Sequence, residues 1–170
     1  MLIDVMTIEF MRLIEGPFLT ILSMFIEYTL DPIPLLIIGI IISIFFYFKV
    51  SKKKGIWLAS TVLITAILIK LLKEIIQRSR PIDAIISSTS SSFPSGHTTM
   101  AVVFFGLMAY MFRGKTHKTK RIVTGSIIVL VIAFTRVYLR VHWLTDVLAG
   151  LVIGGIILTA SILIYRKYIK

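Results

Sequence analysis

Apolar runs follow one another along this sequence at about the length that a helix needs to cross a lipid bilayer, roughly 20 residues. They extend from about Pro17 to Leu30, Ile33 to Val50, Trp57 to Gln77, Thr98 to Phe112, Ile122 to Leu139 and Leu144 to Tyr165. Six crossings would use roughly 120 residues, which leaves short connections and no separate soluble domain in a chain of 170. The hydrophobic fraction, 57%, agrees, because a water-soluble domain of this size covers its core with more polar surface. The expected fold is therefore all-α: a polytopic membrane helix bundle of about six transmembrane helices, forming one domain over residues 1–170. A short amphipathic N-terminal helix at residues 2–15 is expected to lie at the interface. The first run is short for a full crossing and ends at Asp31-Pro32. Asp4 and Glu9 stand where a signal peptide would be positive, so this segment is expected to be retained.

The net charge of +11 would suit nucleic acid, but the charges sit at the ends of the apolar runs. That placement fits anionic headgroups and membrane orientation, and no nucleic-acid partner is expected. Lys49, Lys52, Lys53 and Lys54 occupy the second connection; Arg113, Lys115, Lys118, Lys120 and Arg121 the fourth; Arg166, Lys167 and Lys170 the tail. These twelve basic residues, with no acid among them, predict a cytoplasmic side. Both termini are then expected inside, if the short first run crosses. Without cysteine, disulfides and thiolate chemistry are excluded. Gly150 and Gly154 make a small-residue pair suited to close helix packing.

Ionisable side chains at the end of a membrane span are costly, so their placement is informative. Lys73 and Arg80 are two helical turns apart on one face of the third span, and Pro81 stops the helix beside Arg80. Taken alone, they could be basic residues snorkelling to the interface. Pro94-Ser95-Gly96-His97 precedes the fourth span. Gly96 would let the backbone turn so that its amide and the Ser95 hydroxyl face an anion, at the positive end of the following helix. His97 adds a group that titrates near neutrality. In the stretch Thr135 to Asp146, Arg136 offers a planar guanidinium for phosphate oxygens. Asp146 lies one helical turn from His142, where it could hold one ring nitrogen and leave the other as a nucleophile. All three clusters fall at one predicted membrane face. A basic pocket with two histidines and an orienting acid suits phosphoryl transfer, in which positioning and charge neutralisation do most of the catalysis.

These three patterns resemble the motifs of the type 2 phosphatidic acid phosphatase family. Lys, six residues, Arg-Pro is met by Lys73 through Pro81; Pro-Ser-Gly-His by residues 94–97; and Ser-Arg, five residues, His, three residues, Asp by Thr135 through Asp146. Thr135 stands where the family has Ser and keeps the hydroxyl. The resemblance covers about residues 55–165, and three motifs in order make it specific. It implies a six-helix bundle and a two-step reaction that needs no metal or cofactor. By analogy His142 attacks phosphorus, Asp146 orients it, and His97 protonates the leaving oxygen, then activates water against the phosphohistidine. Lys73, Arg80, Ser95, Gly96 and Arg136 would bind the phosphate.

The implied substrate is a membrane lipid phosphate: a polyprenyl pyrophosphate, a phosphatidylglycerophosphate, a phosphatidic acid or a lipid A phosphate. The expected place is the cytoplasmic (inner) membrane, with the active site facing the outer, periplasmic side. A membrane transporter or lipid translocator that binds phosphate without cleaving it is the alternative, although binding alone would not require His142 and Asp146. A vanadate-dependent haloperoxidase has a similar pocket but is soluble, against the apolar runs here. His117 is expected across the membrane from the pocket, and the Ser-rich stretch 87–92 is expected to be flexible.

Overall fold

A computed structural model of the chain describes residues 2–112 and 117–169. Seven helices follow in order among them: α1 (Leu2–Leu13), α2 (Pro17–Thr29), α3 (Pro32–Lys49), α4 (Lys52–Ile76), α5 (Gly96–Met111), α6 (Lys118–Tyr138) and α7 (Leu144–Tyr168). Of the basic residues in the charge pattern, Arg113, Lys115 and Lys170, and the side chain of Lys118, lie outside the described residues.

Local chemistry sets the helix ends. Pro17 and Pro32 open α2 and α3 in the first turn, where a missing amide hydrogen leaves no bond unmade. Asp31 caps α3 by accepting from the Ile33 amide at 2.9 Å. α4 closes at Gln77, whose left-handed backbone (φ 47°) returns its amide to the Lys73 carbonyl. Ser95 caps α5, accepting from the Thr98 amide at 3.5 Å and sharing a 3.0 Å bond with the Thr98 hydroxyl.

The all-α expectation holds among the described residues; the helices differ in their fitness to cross a membrane. α3, α4, α6 and α7 are long and apolar enough to span a membrane, whereas α5 is apolar but only 16 residues long. The first expected span, α2, begins and ends at the same end of the bundle. The Tyr138 hydroxyl accepts from the Gly16 amide at 3.1 Å, before α2 begins. Just beyond its far end, Asp31 lies 3.4 Å from His97. Polar partners at both termini tie α2 to the motif end, so it does not run the length of the bundle. α1 lies at that end too, with Asp4 accepting from the Thr145 amide at 3.0 Å and Arg12 donating to Asp83 at 2.8 Å.

Beyond the motif end, α3 and α4 form a tight hairpin in which Gly55 packs against Tyr47 and the Ser43 carbonyl. Gly150 and Gly154 bring α7 close to α5, as the small-residue spacing predicts. A methyl group on Gly154 would stand 2.8 Å from Val102 Cβ and 2.9 Å from the Thr99 carbonyl, so only glycine allows this approach. Trp57 donates to the Ser161 carbonyl at 3.0 Å, and the Thr61 and Ser161 hydroxyls bond at 2.7 Å. Such interhelical bonds contribute about 0.6 kcal/mol each in a membrane, so packing dominates. The core of Leu35, Ile69, Met100, Phe104 and Ile132 lies directly beneath the motif residues. The outward faces are apolar as well: Phe48, Ile64, Val152 and Ile156 are all more than half exposed, as lipid-facing surfaces require.

Candidate active site

One cavity of about 450 Å³ opens at the motif end, with Lys73, Arg80, Gly96, His97, Arg136 and His142 in its wall. Four segments far apart in sequence deliver them: the end of α4, the loop after it, the start of α5, and the end of α6 with its following turn. Ile33, Leu36, Ala66 and Ile69 make an apolar flank from α3 and α4.

Asp146 is fully buried behind His142. One carboxylate oxygen accepts from the Trp143 amide at 2.9 Å and the other from Arg78. The first of these lies 3.6 Å from His142 Nδ1, an ion-pair separation rather than a hydrogen bond. This arrangement turns Nε2 away from the carboxylate. Burial holds the His142 imidazole far below its usual range, at about 3, against the opposing pull of Asp146. The ring is therefore neutral at physiological pH and keeps a free lone pair, the form a nucleophile needs.

The three cations are held differently. Arg80 donates to the Ser90 carbonyl at 2.7 Å, to the Ser90 hydroxyl at 3.1 Å and to the Val141 carbonyl. Lys73 donates to the Ser91 carbonyl, and the Ser91 hydroxyl donates back to the Lys73 carbonyl at 2.8 Å. Within the Ser-rich stretch, Ser90 and Ser91 thus rest on the two basic residues. Arg136 is fully buried. Its guanidinium is braced by the Thr135 hydroxyl at 3.0 Å and paired with Glu27. Removing one partner of a buried ion pair costs about 3–5 kcal/mol, so the Glu27–Arg136 pair ties α2 to α6.

Two expected phosphate ligands stand at the start of α5, Gly96 in the cavity wall. The Ser95 hydroxyl is fully buried and spent on the α5 cap, outside the cavity wall. Gly96 is already helical and makes no special turn. A side chain there would meet Ile69 at 3.3 Å and Pro32 at 3.6 Å, so Gly96 provides room between α4 and α5. His117 lies at the opposite end of α6 from the cavity.

Four residues of this end are given no role at the site by the sequence reading: Asp4, Glu27, Asp31 and Arg78. Arg78 donates to Asp146 and, at 2.8 Å, to Asp4, whose carboxylate also accepts from the Thr145 amide and hydroxyl. Its guanidinium lies over the Trp143 ring at 5.7 Å. Glu27 and Asp31 approach His97 Nε2 at 3.6 and 3.4 Å. An acid inside an apolar run was the available signal for Glu27, since a buried charge needs a partner. Donor atoms of Glu27, Asp31 and His97 lie within 4.8 Å of one another, a set able to hold a cation. Lys73, Arg80 and Arg136 share the cavity, and their field opposes a divalent ion there.

The sequence model of the PAP2 superfamily matches residues 54–170. Phosphatidylglycerophosphatase B of Bacillus subtilis (strain 168) is 44% identical over 92 residues, 50% of this chain and 45% of that protein. Lipid A 1-phosphatase of Rhizobium etli is 31% identical over 124 residues, 66% of this chain and 51% of that protein. Undecaprenyl-diphosphatase of Sulfolobus acidocaldarius is 29% identical over 115 residues, 64% and 53% of the two chains. The chain spans about half the length of the curated relatives it matches. The crystal structure of a transmembrane PAP2 type phosphatidylglycerolphosphate phosphatase from Bacillus subtilis superposes with a TM-score of 0.85 at 29% identity, covering 97% of this chain and 85% of that one.

Proposed function

The chain belongs to the PAP2 superfamily, and on that premise we propose that it is a membrane-embedded lipid phosphatase acting through a phosphohistidine. His142 Nε2 attacks phosphorus and the bond to the leaving oxygen breaks, while His97 gives that oxygen its proton. A water, deprotonated by His97, then attacks the phosphohistidine, releasing inorganic phosphate and restoring both imidazoles. Asp146 holds His142 in orientation and balances the charge that its ring gains. Lys73, Arg80 and Arg136 neutralise the phosphoryl oxygens, exchanging their present carbonyl and carboxylate partners for the substrate. No step requires a metal ion or cofactor.

The observation that carries this reading is the convergence of all three cations and both histidines on one cavity wall, with the Asp146 carboxylate directly behind His142. The apolar flank of Ile33, Leu36, Ala66 and Ile69 suits a substrate whose tails stay in the bilayer while its phosphate enters. The substrate class is a membrane lipid carrying a terminal phosphate or diphosphate. We place the chain in the cytoplasmic membrane with five crossings, α3 to α7, and with the cavity open to the outer side.

Purified protein supplied with a panel of lipid phosphates in EDTA should release inorganic phosphate, and vanadate should inhibit competitively, its five-coordinate form resembling the transition state. Activity lost in EDTA and restored by magnesium would place the chemistry on a cation, with Glu27, Asp31 and His97 as the ligands to test.

A further inference from the structure

Glu27 and Asp31 stand at the junction of α2 and α3, outside the segment 54–170 that matches the family. They therefore lie among the N-terminal helices that precede the segment described by the family model. His97 is 9% exposed, and its Nε2 makes no hydrogen bond among the described residues. That nitrogen faces Asp31 Oδ2 at 3.4 Å and Glu27 Oε2 at 3.6 Å. Both carboxylates line the same cavity as His142. Glu27 is already balanced by Arg136. For Asp31, the partner in ion-pair range among the described residues is His97 alone, so its charge remains on the cavity wall. Lys73 and Arg80 line the same cavity without reaching ion-pair range of Asp31, and the exposed Lys70 pairs with Glu74 at 3.8 Å.

The oxygen that takes a proton from His97 must lie beside Nε2, so the first atoms of the leaving group lie against these two carboxylates. Carboxylates accept hydrogen bonds from hydroxyl groups and repel a second phosphate. Resting on the phosphatase reading above, we propose that Glu27 and Asp31 form a leaving-group subsite that selects phosphomonoesters of hydroxyl-bearing headgroups over lipid diphosphates. A monoester leaves as a neutral alcohol whose neighbouring hydroxyls can donate to Asp31. A diphosphate would leave as a second phosphate and bring its charge against the same carboxylate.

Asp31→Asn separates charge from structure, because asparagine caps a helix as well as aspartate and should keep the bond from the Ile33 amide. The test measures phosphate release from phosphatidylglycerophosphate and from a polyprenyl diphosphate at equal surface fraction in detergent, for wild type and Asp31→Asn. Wild type should show the higher kcat/KM on the monoester. Asp31→Asn should raise the diphosphate-to-monoester ratio on the order of tenfold, about 1.4 kcal/mol, with an unchanged Tm. Glu27→Gln should move the ratio in the same direction. A wild-type preference for the diphosphate, or a ratio that neither variant moves while activity persists, would overturn the subsite and leave the phosphatase reading standing. A folded wild-type protein that releases phosphate from neither substrate would overturn both.

Discussion

Arg78 and Asp146 are joined directly, the guanidinium of one donating to the fully buried carboxylate of the other. Arg78 lies outside the cavity wall, yet it fixes the acid that faces His142. Arg78→Ala should lower kcat by roughly 100-fold, since small misplacements of a catalytic group cost that much, and should leave KM for a lipid phosphate nearly unchanged. A raised KM at constant kcat would instead make Arg78 a phosphate ligand.

The two histidines should separate by leaving group. His142→Ala should abolish turnover on every substrate while the protein stays folded, because no other side chain on the cavity wall is placed to carry the phosphoryl group. His97→Ala should be nearly as damaging on lipid phosphates but milder on an aryl phosphate, whose phenolate leaves without a proton. Rates for both substrate types, with circular dichroism as the folding control, decide it. Equal losses for His97→Ala on the two would remove its acid role.

The helical architecture and the spacing of the three motifs were legible in the sequence because both are local. Apolar run length and Pro17 and Pro32 mark helix boundaries, and Lys73, His97, Arg136 and His142 occupy motif positions. Pro81 marks no boundary, because α4 already ends at Ile76, so Arg80 lies in the loop beyond it and shares no helix face with Lys73. What could not be read depends on partners distant in sequence. The thirteen residues of α2, mostly apolar, look like a short crossing until Tyr138 and His97 place both of its ends together. Arg78 reads as spacer between Lys73 and Arg80, and only its contacts with Asp4 and Asp146, 74 and 68 residues away, reveal its role. Ser95 shows the same limit: a hydroxyl beside a helix start can serve the helix or a ligand, and its bonds to Thr98 come from the fold.

Asp4 ties α1 to the catalytic end, and its charge should show in the pH dependence of stability. Burial alone would raise its pKa, but the bonds from Thr145 and Arg78 override that and hold the carboxyl below its ordinary 3.8. A group depressed in the folded state contributes stability that is complete above its unfolded value and fades as pH falls through its folded value. Asp4→Asn should therefore cost roughly 1–3 kcal/mol at pH 7, seen as a lower Tm in detergent. The gap from wild type should narrow below about pH 4. A gap that stays constant down to pH 3 would mean that the lost interaction is not one of charge.

The proposed orientation of the chain rests on the charge of its connections. In the sequence, the second and fourth connections and the tail carry twelve basic residues and no acid, which the positive-inside rule assigns to the cytoplasm. All eight acids lie on the segments of the motif end, and the cations there have local tasks. Lys73, Arg80 and Arg136 line the cavity, Arg78 holds Asp146, and Arg140 pairs with Glu15 and Asp83. With α1 and α2 also at the motif end, the N-terminal segment should share its side. The chain has no cysteine, so single cysteines at the exposed positions Glu9, Thr89 and Thr119 report directly. In intact cells a membrane-impermeant thiol reagent should label Glu9→Cys and Thr89→Cys, and label Thr119→Cys only after permeabilisation. Labelling of Thr119→Cys alone would invert the topology and turn the cavity toward the cytoplasm. Labelling of Thr89→Cys with protection of Glu9→Cys would mean that α2 crosses the membrane after all.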